Sequence, residues 1–303
     1  MENCWRYLFL FLCLLTGCVE SIDLSDIDGN EPKLVFDGIL SNEEPPYLFR
    51  LTKTASLSDT NIKGVTDALI VISDSKGTKD TLEWIDPLFF PEGGDANSYY
   101  GLYCTTKIAG KEGETYHLQI CYENLVYEAT EKMPRATQID SLWFSRKQLE
   151  GKDEMVACPF INFRNALDEE NFYMFTYSPH KQDDWSYLEN LIANSMRVFP
   201  YSILKDTHLP EYVKEFNLND GESVFGSEEG FHFQFSERDT SSILLYSITS
   251  STYNFYEDLI KQMRYDGGTF TPSPTSARGN ISNGALGLFR VNAVSRKEGV
   301  ATF

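Results

Sequence analysis

Tyr116-His117-Leu118-Gln119-Ile120-Cys121 is the stretch whose reading decides the fold. Apolar and polar residues alternate with period two. Tyr116, Leu118 and Ile120 therefore share one face of a strand, and His117, Gln119 and Cys121 share the other.

The same texture recurs on both sides. Leu34-Val35-Phe36 leads into Gly38, and Tyr47 to Thr52, Ala68 to Ile72, Tyr99 to Cys104 and Val126 to Thr130 read as further short strands. Turn residues separate them, Ser75-Lys76-Gly77 in one place and a loop holding Gly110 and Gly113 in another. Short strands at regular spacing with turn signals between them predict a β-sandwich over residues 33–133. Met133 to Thr137 is a break, and a second β-rich domain follows over 134–303. Its strands are read at Ile139 to Phe144, Phe160 to Phe163, Phe172 to Tyr177, Phe231 to Phe235, Ile243 to Ile248 and Leu286 to Val291. The acidic turn Asp168 to Asn171 reads as the connection of a hairpin, and 206–230 as loop. Two stretches change to helical spacing: 185–199, with Trp185, Leu188, Ile192 and Met196 on one stripe, and 253–265, with Asn254 and Glu257 as a capping box. The fold class is mainly β, a sandwich followed by a second β-rich domain with two helices.

The start of the chain carries a targeting signal. Tyr7 to Leu15 is an unbroken apolar run behind Arg6, too short to span a bilayer, which takes about 20 apolar residues. It ends in Leu15-Thr16-Gly17-Cys18, small residues before a thiol, the arrangement of a lipoprotein signal. Residues 1–17 are thus read as a signal peptide and Cys18 as the lipidated N-terminus of the mature chain. Residues 18–32 form an acidic, Ser- and Gly-containing tether without a folding period.

The 303 residues carry a net charge of −19, and the signal peptide contributes one Glu and one Arg, so the mature chain keeps it all. That argues against nucleic-acid binding, which needs basic stripes to neutralise phosphates. The three cysteines of the folded part are Cys104, Cys121 and Cys158. Cys104 and Cys121 read as lying on paired strands of one hairpin, within reach of a disulfide in an oxidising compartment, with plain buried thiols the preferred reading.

Motifs for catalysis are missing. The four histidines make no metal-binding pattern, and no nucleophile elbow, P-loop or dinucleotide fingerprint exists. A catalytic carboxylate pair stays open only because 45 acids offer many pairs. The ligand-like feature is aromatic: Trp84, Tyr99 and Tyr100 bracket a Gly-containing loop, and Trp185 heads the first helix. Exposed rings of this kind stack on sugars and peptides. Coverage of a sandwich core explains them as well.

Several segments, in order, resemble a family of Bacteroidota outer-membrane lipoproteins catalogued as domain of unknown function 4249. They are Cys18 with its acidic tether, Lys33 to Gly38, Val65 to Asp74, Ile139 to Leu142, Phe163-Arg164-Asn165 with Glu170-Asn171-Phe172-Tyr173, and Asn280 to Phe289. The resemblance implies an immunoglobulin- or transthyretin-like first half, and an accessory role beside TonB-dependent receptors that import glycans, peptides or metal chelates. The expectation is a non-enzymatic lipoprotein of the outer membrane, without metal or cofactor. The acidic tether resembles surface-export signals of one bacterial phylum, so the protein is expected to face outward. Its partners would be a TonB-dependent receptor and a small ligand, peptide or glycan. The alternative is a structural or adhesive surface lipoprotein that binds macromolecules.

Overall fold

A computed structural model describes residues 32–55, 63–86, 100–148, 155–179, 202–223, 233, 235–264 and 276–302. Cys18, most of the tether and the expected helix at 185–199 lie outside these residues.

The described chain is mainly β. The first half contains β1 (Leu34–Ser41), β2 (Leu48–Lys53), β3 (Lys63–Gly64), β4 (Leu69–Asp74), β5 (Lys79–Thr81), β6 (Glu83–Trp84), β7 (Leu102–Cys104), β8 (Thr115–Tyr122) and β9 (Leu125–Lys132). The second contains β10 (Ile139–Gln148), β11 (Met155–Arg164), β12 (Phe172–Pro179), β13 (Ser202–Lys205), β14 (Tyr212–Asn217), β15 (Glu222–Ser223), β16 (Thr240–Ile248), helix α1 (Ser250–Arg264) and β17 (Leu286–Val300). Three sheets result. A ten-stranded sheet runs β15-β13-β12-β16-β17-β1-β2-β7-β6, with β3 also on β2. A four-stranded sheet runs β5-β4-β8-β9, and a three-stranded one β10-β11-β14.

Alternation decides which face each strand buries. On β8, Tyr116, Leu118 and Ile120 are buried and His117 and Gln119 are exposed. The buried set meets Leu34, Phe36, Leu40, Phe49, Leu51 and Tyr103 of the large sheet, so two sheets share one apolar core. Phe36 and Phe49 stack at 5.5 Å, and Phe289 from β17 completes the cluster. Fully burying each such ring contributes about 1.5–3 kcal/mol. The β8–β9 hairpin closes through Glu123-Asn124, both at positive φ, the two-residue turn whose twist suits paired strands.

The second half has three layers. Along β12, Phe172 and Met174 point one way and Tyr173 and Phe175 the other; β16 divides Leu244 and Tyr246 from Ile243 and Leu245. One face packs on the three-stranded sheet through Phe144, Ile161, Phe163 and Val213. The other packs on α1 through Tyr256 and Ile260.

β17 joins the halves. Leu286 to Asn292 pair in parallel with Val35 to Ser41, and Ala293 to Val300 pair antiparallel with Thr240 to Ser247. The boundary drawn at residue 133 is therefore crossed. Ile281, Ala285, Phe289, Val291 and Ala293 belong to the core of the first half. A parallel neighbour can come from anywhere in the chain, because it needs a long crossover rather than a turn.

Other expectations are corrected. Phe160 to Phe163 and Phe172 to Tyr177 do not form a hairpin: β11 pairs with β10 and β14, β12 with β13 and β16. The acidic turn carries the chain from one sheet to another. The stretch 206–230, read as loop, contains β14 and β15. Phe233 and Phe235 are buried, but Phe235 makes a single bridge, to Ala157. Helix α1 is the expected second helix, and it starts earlier than expected. Thr249 caps it, its Oγ1 accepting from the Thr252 amide at 3.3 Å, so Asn254 lies inside the helix rather than at its cap. Cys104 and Cys121 are free thiols on strands of different sheets, which removes the hairpin geometry a disulfide needs.

Candidate functional site

Residues 133–138 run between β9 and β10 without regular structure, yet they are pinned to both halves. The Ala136 amide donates to Glu112 Oε2 at 3.0 Å, and the Thr137 amide to Ser247 Oγ at 3.1 Å. Ser295 Oγ of β17 donates to the Thr137 carbonyl at 2.6 Å. Met133 is fully buried and exchanges backbone hydrogen bonds with Gly113 and Glu114.

A cleft opens on each side of this linker. The first, of about 600 Å³, lies among Glu131 to Arg135, Glu169 to Phe172 and the start of α1. The second, of about 620 Å³, lies among Arg135 to Gln138, Asp140, Arg164 to Glu169, Asn171 and Glu211. Arg135, Glu169 and Asn171 line both. Six carboxylates (Glu131, Asp140, Asp168, Glu169, Glu170, Glu211) stand against three cations (Lys132, Arg135, Arg164). The lining thus carries an acidic excess that disfavours anions.

The floor of the second cleft is a polar network. Tyr173 Oη donates to Asn165 Oδ1 at 2.7 Å, and Asn171 Nδ2 reaches the same oxygen at 3.3 Å. Asn171 Nδ2 also meets the Ala166 carbonyl at 2.6 Å and Asp206 Oδ2 at 2.9 Å. Two donors on Oδ1 fix the orientation of the Asn165 amide. Its Nδ2 is left without a protein partner, although Asn165 is only 1% exposed. A buried amide donor without an acceptor is costly, by about 1–3 kcal/mol. Burial pushes the Tyr173 phenol up to about 12, with a hydrogen bond to Thr137 working against the shift. Asn165, Asn171 and Tyr173 come from the two segments read as a central hairpin. They do converge, as a clamp across a sheet-to-sheet crossover.

The first cleft is braced by Glu131, whose Oε1 accepts from Ser251 Oγ of α1 and from Asn280 Nδ2 at 2.8 Å. A separate polar cluster ties α1 to the large sheet. Arg290, 6% exposed, donates to Asp37 Oδ1 at 2.5 Å and to Tyr256 Oη at 2.9 Å. Beside it on β17, Asn292 is fully buried, and neither end of its amide has a hydrogen-bond partner. Sequence reading missed Asn165 as a single residue, Arg290 and Asn292. A charge or amide within an apolar run such as Leu288 to Val294 is the one available signal.

The aromatic candidates sit elsewhere. Trp84 is on edge strand β6 and Tyr100 lies two residues before β7; each is 40% exposed and neither is among the residues that line these two clefts. Tyr99, Trp185 and Cys18 lie outside the described residues. Among the described residues, no group of three His, Cys, Asp or Glu side chains is placed to hold a metal ion.

No curated protein matches the chain. The family model described as Domain of unknown function (DUF4249) matches residues 20–298, nearly the whole chain, and the chain therefore belongs to that family.

Proposed function

We propose that this protein is a non-enzymatic accessory and binding lipoprotein, held on the outer membrane through Cys18 and facing outward. It would take up a small ligand, peptide or glycan at the linker clefts and pass it to a TonB-dependent receptor. The observation that carries this reading is the second cleft, whose lining includes Asn165, with a buried amide donor that has no protein acceptor. A sugar hydroxyl or a peptide carbonyl supplies that acceptor, and the carboxylates of the lining accept from hydroxyls and amides in turn. The shared core of the four-stranded sheet and the large sheet supports reading the first half as an immunoglobulin- or transthyretin-like sandwich.

The test is an affinity pull-down of the full, tagged chain from solubilised membranes. Recovery of a TonB-dependent receptor is expected. Recovery of none, with the bait intact and lipidated, overturns the accessory role. A solitary adhesive function would instead show as binding to whole cells or matrix with no receptor recovered.

A further inference from the structure

The described body begins at one pole of the first half. Lys33 exchanges hydrogen bonds with Thr54, its carbonyl accepting from the Thr54 amide at 2.9 Å and its amide donating to Thr54 Oγ1 at 3.0 Å. Lys53, next to Thr54, reaches the tip of the β8–β9 hairpin. Its Nζ lies 2.9 Å from Glu123 Oε1 and 4.7 Å from the centre of the Tyr122 ring. Chain entry and hairpin tip therefore share one pole.

That pole is unusually apolar at its surface. Leu69, Cys121 and Val126 stand opposite one another on β4, β8 and β9, on the face away from the core. Leu69 is 51% exposed and Val126 42%, and Leu125, on the other side of the tip, is 51% exposed. These three side chains form a collar around the Glu123-Asn124 turn. Among the described residues, Lys33, Lys53 and Lys63 stand here with Asp67 and Glu123, so the body at this pole has no acidic excess, although the tether that enters it is acidic. Exposed apolar groups flanked by lysine stems are suited to the boundary between headgroups and acyl chains.

Residues 19–32, fourteen in number, separate Cys18 from Lys33. A chain of that length spans at most about 50 Å fully extended, which keeps this pole, more than any other, within reach of the bilayer. We infer that the collar of Leu69, Leu125 and Val126 docks on the surface of the bilayer that the lipid of Cys18 enters. This rests on the lipoprotein reading above and adds an orientation to it. The eight residues of β1 run from this pole to the junction, about 27 Å at 3.3–3.4 Å per residue. Docking would thus stand the linker clefts that far off the membrane, with their acidic lining clear of the headgroups.

The experiment uses the full, lipidated chain in phosphatidylcholine–phosphatidylethanolamine vesicles whose acyl chains carry bromine, a collisional quencher of tryptophan. Flotation reads the anchor; tryptophan quenching reads the docking. Leu125→Trp places a probe in the collar, and Leu167→Trp, at an exposed position of the second cleft, places a control at the junction. The Leu125→Trp fluorescence increment should be quenched at least threefold more strongly than the control. Adding Leu69→Glu and Val126→Glu should reduce it to the control level while the protein still floats. Flotation with equal quenching of both probes overturns docking and leaves the anchor standing. Failure of the wild type to float overturns both.

Discussion

Asp80 offers the sharpest test of how the two sheets of the first half are held together. It lies on β5 of the four-stranded sheet and is fully buried. Its Oδ2 accepts from the amides of Thr106 (2.9 Å), Lys107 (2.7 Å) and Ile108 (2.8 Å), in the segment that follows β7 of the large sheet. Its Oδ1 accepts from Thr106 Oγ1 at 2.8 Å. Burial by itself would raise the carboxyl pKa, but these bonds outweigh it and hold the group below its ordinary value. Asp80→Asn keeps the shape. The amide oxygen can take the three N–H groups and the amide nitrogen can donate to Thr106 Oγ1, so what is lost is the charge. A hydrogen bond to a charged group is worth about 1.5–3 kcal/mol and a neutral one about 0.5–1.5, a difference of about 1–1.5 for each; the four bonds share one charge and do not add in full, so the substitution should cost about 2–3 kcal/mol. That corresponds to a fall in Tm of about 5–10 °C for a chain of this size. The sign with pH follows from the direction of the shift. A carboxyl depressed in the folded state contributes stability above its unfolded pKa, near 3.9, and loses it as pH falls through the folded value. The gap between wild type and Asp80→Asn in urea midpoints should be full at pH 6 and shrink below about pH 4. A gap that stays constant down to pH 3, or is absent at pH 6, would refute the reasoning.

Three further perturbations probe other parts of the frame. Gly287 sits at φ +90°, and a Cβ there would lie 2.0 Å from the Phe36 carbonyl oxygen; Gly287→Ala should break the β1–β17 pairing and lower Tm by at least 10 °C, read by circular dichroism. Thr249→Ala removes the cap of α1 and should cost about 1 kcal/mol, with faster amide exchange confined to the first turn of the helix. Tyr173→Phe removes the bond to Asn165 and should cost about 1 kcal/mol at pH 8. Because the phenol is raised to about 12, that stability is present below pH 10 and lost as pH rises through 12, so the wild-type advantage should vanish there.

How legible these features were in the sequence depended on whether a local pattern stated a partner. β8 was legible because one of its faces is wet, and the alternation of Tyr116 to Cys121 is the imprint of that asymmetry. β12 and β16 are buried on both faces, and their apolar runs reveal strands without revealing neighbours. That is why 160–177 read as a hairpin although the chain changes sheets. β14 was missed because its alternation is broken: Glu215 has φ 53°, and the register against β11 shifts between Ile161 and Phe163. Asp80 and Arg290 read as two charges among many on an acidic chain, since burial leaves no mark on a single charged residue. At the clefts, Asn165 and Asn171 lay within segments already singled out. Their convergence with Tyr173 depends on the sheet-to-sheet crossover, which no local spacing encodes.

The shared strand β17 has a consequence for how the chain can be divided. A fragment of residues 33–133 contains every strand of the first half that local sequence reveals, but it lacks the neighbour of β1. Seven residues, Val35 to Ser41, would lose their parallel partner, leaving an open edge in the middle of a sheet. The core would lose Ile281, Phe289 and Val291 among its large side chains. At about 1.5–3 kcal/mol for each, that is roughly 5–9 kcal/mol, a sum comparable to the whole stability of an ordinary domain. The fragment should therefore lack dispersed amide signals in NMR spectra. Joining residues 276–302 to its C-terminus through a flexible linker should restore them, because β17 would again reach β1. A cooperative, well-dispersed 33–133 fragment would show that the first half needs no strand from the end of the chain, and that β17 couples two units already stable. The intact protein distinguishes the same alternatives: a shared strand requires both halves to melt in one transition, whereas two coupled but independent units would melt in two.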